Sequence, residues 1–125
     1  MKAETDKGGA EVSITADLIR GHTETIILAQ LLQHDSYGYE INKVIRKISE
    51  DRYELKEATL YTAFRRLEET GLIQSYWGGE QSGARRRYYR ITESGRQAYR
   101  QRLLLWEESK KIIDKLIDAE VQNDA

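Results

Sequence analysis

A mainly helical fold with one small β-hairpin (α+β) is what the sequence predicts, and three observations predict it. Between Glu57 and Thr70, the residues Leu60, Ala63, Phe64 and Leu67 fall at i, i+3, i+4 and i+7, the narrow apolar stripe of an amphipathic helix. Directly after it, two β-prone runs, Leu72 to Trp77 and Arg85 to Ile91, enclose the turn Gly-Gly-Glu-Gln-Ser-Gly, which reads as a hairpin. Beyond the hairpin, Ala98, Leu105, Ile112 and Ala119 recur every seven residues, as along one long helix.

Taken in order, residues 1–12 are polar, contain Gly8-Gly9 and balance Lys2 and Lys7 with Glu4, Asp6 and Glu11, so they read as a disordered tail rather than a basic arm. A compact unit follows over residues 13–92. Its first helix is expected from Ala16 to Gln33, capped by Thr15 and carrying Asp17 in the first turn, where the macrodipole favours an acid. Leu18, Ile26, Ile27, Leu28, Leu31 and Leu32 supply its apolar face, and Gly21 weakens its middle. Asp35-Ser36 reads as a turn and second cap, starting a helix through Tyr39, Ile41, Val44, Ile45 and Ile48 that ends near Ser49. Tyr53 to Leu55 is long enough only for a minor strand. The third helix, about Glu57 to Thr70, ends where Gly71 can form a left-handed cap. After the hairpin, Thr92 caps the last helix, which with its end spans residues 93–120 and reads as a dimerisation element.

Composition narrows the function classes. No apolar run approaches the roughly 18 residues of a membrane span, and the N-terminus lacks the apolar core of a signal peptide. Absence of cysteine removes disulfides and thiolate chemistry and fits a reducing cytoplasm. His22 and His34 are the only histidines, no serine sits in a nucleophile motif, and no metal-ligand cluster appears. Neither a catalytic set, a metal site nor a cofactor is therefore expected. The net charge of −1 hides an asymmetry: Lys56 to Arg102 holds ten Lys/Arg against five Asp/Glu, whereas Glu107 onward holds six acids against three lysines. Only the middle of the chain suits a polyanion.

Order, lengths and charge combine into a winged helix-turn-helix followed by a long helix. Opposite the apolar stripe of the third helix project Ala58, Thr62, Arg65 and Glu69, flanked by Tyr61 and Arg66. A helix of this size enters the major groove, where its first turns meet base edges. The hairpin brings Arg85, Arg86 and Arg87 beside glycines, and strand alternation aims Arg86 one way and its neighbours the other. Tyr88 and Tyr89 likewise face opposite sides, so one of them belongs to the core. Each feature alone has a plainer reading: Arg65-Arg66 can pair with Glu68 or Glu69 along the helix, and a basic hairpin can simply discourage edge pairing. Jointly they point to double-stranded DNA.

The stretches YGYEI (Tyr37 to Ile41), EATLYTAFRRLEETGLIQSYWG (Glu57 to Gly78) and RRRYYRITESG (Arg85 to Gly95) resemble the PadR family of bacterial transcriptional regulators, over about residues 18–117. The single long helix after the wing is similar to its short subfamily, which includes a multidrug-binding repressor with a pocket tryptophan placed like Trp106. The resemblance implies a homodimer joined through terminal and first helices, a palindromic operator, and release when a small-molecule effector binds. It implies DNA contacts from Tyr37, Thr59, Tyr61, Thr62, Arg65 and the wing arginines; Arg66 and Lys56 join them here on position. At Lys56 relatives carry a capping Ser or Asn. The missing cap costs roughly 1 kcal/mol unless Lys56 reaches a phosphate instead. Many relatives carry proline where Thr62 stands, although the multidrug-binding member shares the threonine.

Trp106 reads either as an aromatic packed in a dimer seam or, paired with its copy across the two-fold axis, as one wall of a slot for a planar aromatic molecule. Glu107 and Lys110 lie near it. Lys110 stands where that relative has an acid, which weakens any implication of a cationic ligand. The rival to a DNA-binding repressor is a dimeric small-molecule or protein-binding module that keeps the fold without reading sequence.

Overall fold

The computed structural model describes residues 16–79 and 85–123. The expected tail, the Thr15 cap and the tip of the hairpin turn lie outside them. The elements are α1 (Ala16–Ile19), a 3₁₀ turn (Arg20–His22), α2 (Thr23–Gln33), α3 (Gly38–Ile48), α4 (Glu57–Glu69), β1 (Ile73–Gly78), β2 (Arg86–Ile91), α5 (Glu93–Ile117) and α6 (Ala119–Asn123). This is the predicted mainly α architecture with a two-stranded antiparallel hairpin, in which Ile73 faces Ile91 and Gly78 faces Arg86.

The expected first helix is divided. Its chain tightens to a 3₁₀ turn at Arg20–His22 around Gly21, the weakest helix former in the segment, and resumes at Thr23. The break turns the His22 ring onto Trp106, with centroids 4.6 Å apart in an edge-to-face arrangement. Leu18, read as part of the buried face, is exposed because α1 stands outside the core.

The cap expected at Asp35-Ser36 is also displaced. α3 starts at Gly38 with Tyr37 as its N-cap residue and no side-chain cap. Ser36 is extended instead and pairs with the free edge of β2, exchanging two backbone hydrogen bonds with Tyr89. Its hydroxyl donates to Glu40 Oε1 at 2.6 Å. The edge pairing satisfies backbone groups that a local cap would leave open. No strand forms at residues 53–55. Leu55 is held by the Asn42 side chain, whose amide donates to the Leu55 carbonyl while its oxygen accepts from the Leu55 N–H, reproducing one rung of a ladder.

Ile27, Leu28, Leu31, Ile41, Ile45, Leu55, Leu60, Ala63, Phe64, Leu67, Ile73, Tyr89 and Ile91 form one core beneath α4 and the hairpin. Phe64 and Tyr89 stack at 3.9 Å, so Tyr89 is the core tyrosine and Tyr88 the outer one. α5 adds no buried hydrophobic side chain to it. Its start is tied to the wing, where Thr92 Oγ1 accepts from the Gly95 N–H and donates to the Gly71 carbonyl, and the Thr92 N–H donates to the Leu72 carbonyl. Further along, Tyr99 packs against the core and Arg102 pairs with Glu24 of α2. α5 ends two residues before Ala119, because Asp118 turns extended and its carboxylate caps α6, accepting from Glu120 N and Val121 N.

Candidate nucleic-acid interface

α4 carries its four core residues inward and leaves Ala58, Thr59, Tyr61, Thr62, Arg65, Arg66 and Glu69 exposed. α3 crosses behind it at Gly38, where a Cβ would stand 3.1 Å from both Leu60 Cδ2 and the Tyr61 hydroxyl. A glycine there lets the two helices of the helix-turn-helix approach and fixes where Tyr61 lies, a reason for the YGYEI pattern invisible in the residues themselves. Lys56 is the N-cap residue, extended and without a side-chain cap, as expected. Lys56→Ser should therefore raise stability by about 1 kcal/mol. If Lys56 contacts a phosphate, the same variant should flatten the salt dependence of DNA binding by about one unit of slope. Chemical denaturation and fluorescence anisotropy read the two effects separately.

The wing arginines divide as strand alternation requires. The Arg86 guanidinium lies 4.9 Å from the ring centre of Tyr37, which meets Tyr88 edge-on at 5.3 Å. Tyr88 stacks on Tyr76, and the Arg90 guanidinium lies 5.2 Å from the Tyr76 ring centre. Tyr76 donates to Asp35 Oδ2 at 2.6 Å, a bond that, with burial second, raises its hydroxyl above the ordinary value of 10.0. Burial does the same to Tyr89. Both phenols stay neutral at physiological pH, so the arginines set the charge of the wing. On the other face Trp77, 53% exposed, lies between Arg85 at 5.1 Å and Arg87 at 5.8 Å. Arg87 also pairs with Glu68 of α4 at 3.6 Å, and Ser75 donates to the same carboxylate. Arg87 thus joins the wing to the helix, while no ion pair engages Arg85 or Arg86 among the described residues.

The structure brings Tyr37, Tyr61 and Arg86 into one surface, with Thr62 and Arg65 continuing it on α4. Arg66 is turned away, toward Glu24 of α2 at 3.3 Å rather than toward Glu68 or Glu69. Glu24 was not singled out by sequence, since nothing local links residues so far apart. A groove of about 820 Å³ opens on that side between α4 and α5. Its walls include His22, Thr62, Arg66, Arg102, Trp106 and Ile113. Glu107 and Lys110 do not line it, although the Lys110 ammonium is 6.0 Å from the Trp106 ring centre.

Residues 27–101 match the transcriptional regulator PadR-like family. The chain is 51% identical to a transcriptional regulator from Clostridium thermocellum of solved structure, with a TM-score of 0.76 over 82% of this chain and 99% of that one. A PadR family transcription regulator from Clostridium difficile R20291 is 38% identical, with a TM-score of 0.69 over 78% of this chain and 100% of that one. An uncharacterized protein of Lysinibacillus sphaericus is 41% identical over 105 residues, 84% of this chain and 96% of its own. No described helix is long and apolar enough to cross a membrane. A polar recognition helix, an arginine wing beside it and these relatives converge: the chain belongs to the PadR-like family of transcriptional regulators, with a DNA-binding winged helix.

Proposed function

We propose that the protein is a cytoplasmic transcriptional repressor that binds a palindromic operator as a homodimer and leaves it when a small planar aromatic effector binds. The observation that carries the DNA side of this reading is the continuous surface from Thr62 and Arg65 through Tyr61 and Tyr37 to Arg86. Two copies of α4 enter successive major grooves about 10 base pairs apart. Thr59, Thr62 and Arg65 meet base edges, and Arg85 and Arg86 hold the backbone. Arg65→Ala should cost about 1–3 kcal/mol at one operator position and relax the preference there. Arg86→Ala should weaken operator and random DNA alike and lower the salt slope by about one. Arg87→Ala should have the smaller effect on binding, because Glu68 already holds that guanidinium. Anisotropy titrations over a range of salt decide this, and equal effects of Arg65→Ala and Arg86→Ala would overturn the division.

The homodimer is supported by the apolar side chains that α5 leaves exposed, among them Leu104, Leu105, Ile112, Ile113, Leu116 and Ile117. The effector is supported by the groove beside Trp106, which is 38% exposed and meets the His22 ring in an edge-to-face arrangement. A ligand there shifts DNA affinity only by its preference between two dimer shapes, typically about 1–3 kcal/mol. In a Trp77→Phe background, which removes the wing tryptophan from the signal, planar aromatics should quench Trp106 fluorescence. Unchanged emission would leave Trp106 a packing residue.

A further inference from the structure

One carboxylate connects three helices behind the DNA-reading surface. Glu24 lies in the first turn of α2, with its side chain 23% exposed. Its Oε2 is 3.3 Å from Nε of Arg66 on α4, and its Oε1 accepts from Nη1 of Arg102 on α5 at 3.1 Å. Arg66 follows Thr62 by one helical turn, and both border the groove. Among the described residues Arg66 is engaged only through Nε, and its side chain is 69% exposed. Its terminal nitrogens therefore stand at the edge of the recognition helix while its Nε is tethered behind it.

We infer that Glu24 restrains Arg66, and so limits the sequence-independent affinity of the recognition helix, with Arg102 setting how strongly the restraint acts. The inference rests on the reading of α4 as the DNA-contacting helix. A phosphate can take Arg66 only in competition with Glu24. While Arg102 shares the carboxylate, two guanidiniums face one negative charge and Arg66 is incompletely neutralised. Withdrawing Arg102 leaves the whole carboxylate to Arg66, as a neutral pair that a phosphate displaces less readily. A displacement of α5 is thus felt on α4 as a change of charge, without any change in the backbone of α4. Because a phosphate contact carries no sequence information, the restraint lowers binding to random DNA and so sharpens specificity.

The test is a double-mutant cycle read by fluorescence anisotropy on a random-sequence duplex, over a range of salt. Glu24→Gln should tighten binding by about fivefold to tenfold near 0.1 M salt and steepen the salt slope by about one, the signature of one added phosphate contact. In an Arg66→Gln background the same substitution should do nothing. Arg102→Gln, which leaves Glu24 in place, should weaken binding, and that loss should vanish when Arg66 or Glu24 is also replaced. It therefore gives the answer independently should Glu24→Gln unfold the chain. A gain from Glu24→Gln that persists without Arg66 would overturn the inference, as would weaker binding in Glu24→Gln at unchanged thermal stability. Wild-type protein that binds no duplex at all would instead sink the DNA-binding reading beneath it.

Discussion

Gly95→Ala is expected to destabilise the protein by about 3 kcal/mol, the upper end of what overpacking a filled site costs, and to lower its unfolding midpoint by about 10 °C. A Cβ at this position would stand 2.2 Å from the Leu72 carbonyl oxygen and 2.6 Å from Ile91 Cγ1. Neither neighbour yields easily. The Leu72 carbonyl accepts from the Thr92 N–H at 3.0 Å, and the Leu72 N–H donates to the Leu67 carbonyl at 2.9 Å, so the obstructing residue is held on both sides. Ile91 closes the core at the base of the wing. The clash outweighs the roughly 1 kcal/mol that alanine gains over glycine inside a helix. The strain acts on the joint between wing and long helix, and DNA affinity should fall with stability. Gly21→Ala is the control: nothing lies within 4 Å of its Cβ, and the substitution should be neutral or mildly stabilising. Thermal melts of the two variants decide it, and equal midpoints would show that the turn at Leu72 moves freely.

The contrast between these glycines shows what the sequence made legible. Periodicity located α4, because a stripe of four apolar residues is written within a dozen positions, and the hairpin, because its turn and strands are contiguous. Thr92 was legible as a cap for the same reason: its partner is three residues away. The features that escaped depend on residues distant in the chain. Gly95 matters because Leu72 passes over it, Ser36 because β2 offers a free edge, Asn42 because Leu55 needs a partner, and Glu24 because Arg66 and Arg102 converge on it. Within the site, Thr62 and Arg65 follow from helical phase alone, and Thr59 is implied by the family resemblance. Strand alternation separates Arg86 from Arg87, but the partners that hold Arg66, Arg86 and Arg87 do not follow from the sequence, since Glu24, Tyr37 and Glu68 lie on other elements.

Ile112→Glu is expected to convert the proposed dimer into monomers and, through that, to lower operator affinity by about a hundredfold or more. Ile112 is 57% exposed and lies outside the core, to which its helix adds the partly buried Tyr99, so the substitution leaves the core of each protomer alone. It lies one heptad beyond Leu105, also exposed, on the row predicted to form the seam. In a two-fold interface a substitution enters twice, and a carboxylate without a partner in an apolar seam costs several kcal/mol. Association then weakens by about a thousandfold for each 4 kcal/mol lost. DNA affinity follows because a monomer reaches one half-site only, and the second no longer benefits from being tethered. Binding to random DNA, carried by one winged helix at a time, should change far less. Sedimentation velocity and anisotropy on operator and random duplexes measure all three quantities. A variant that remains dimeric would place the seam on another face of α5, and a monomer that keeps full operator affinity would remove dimerisation from recognition altogether.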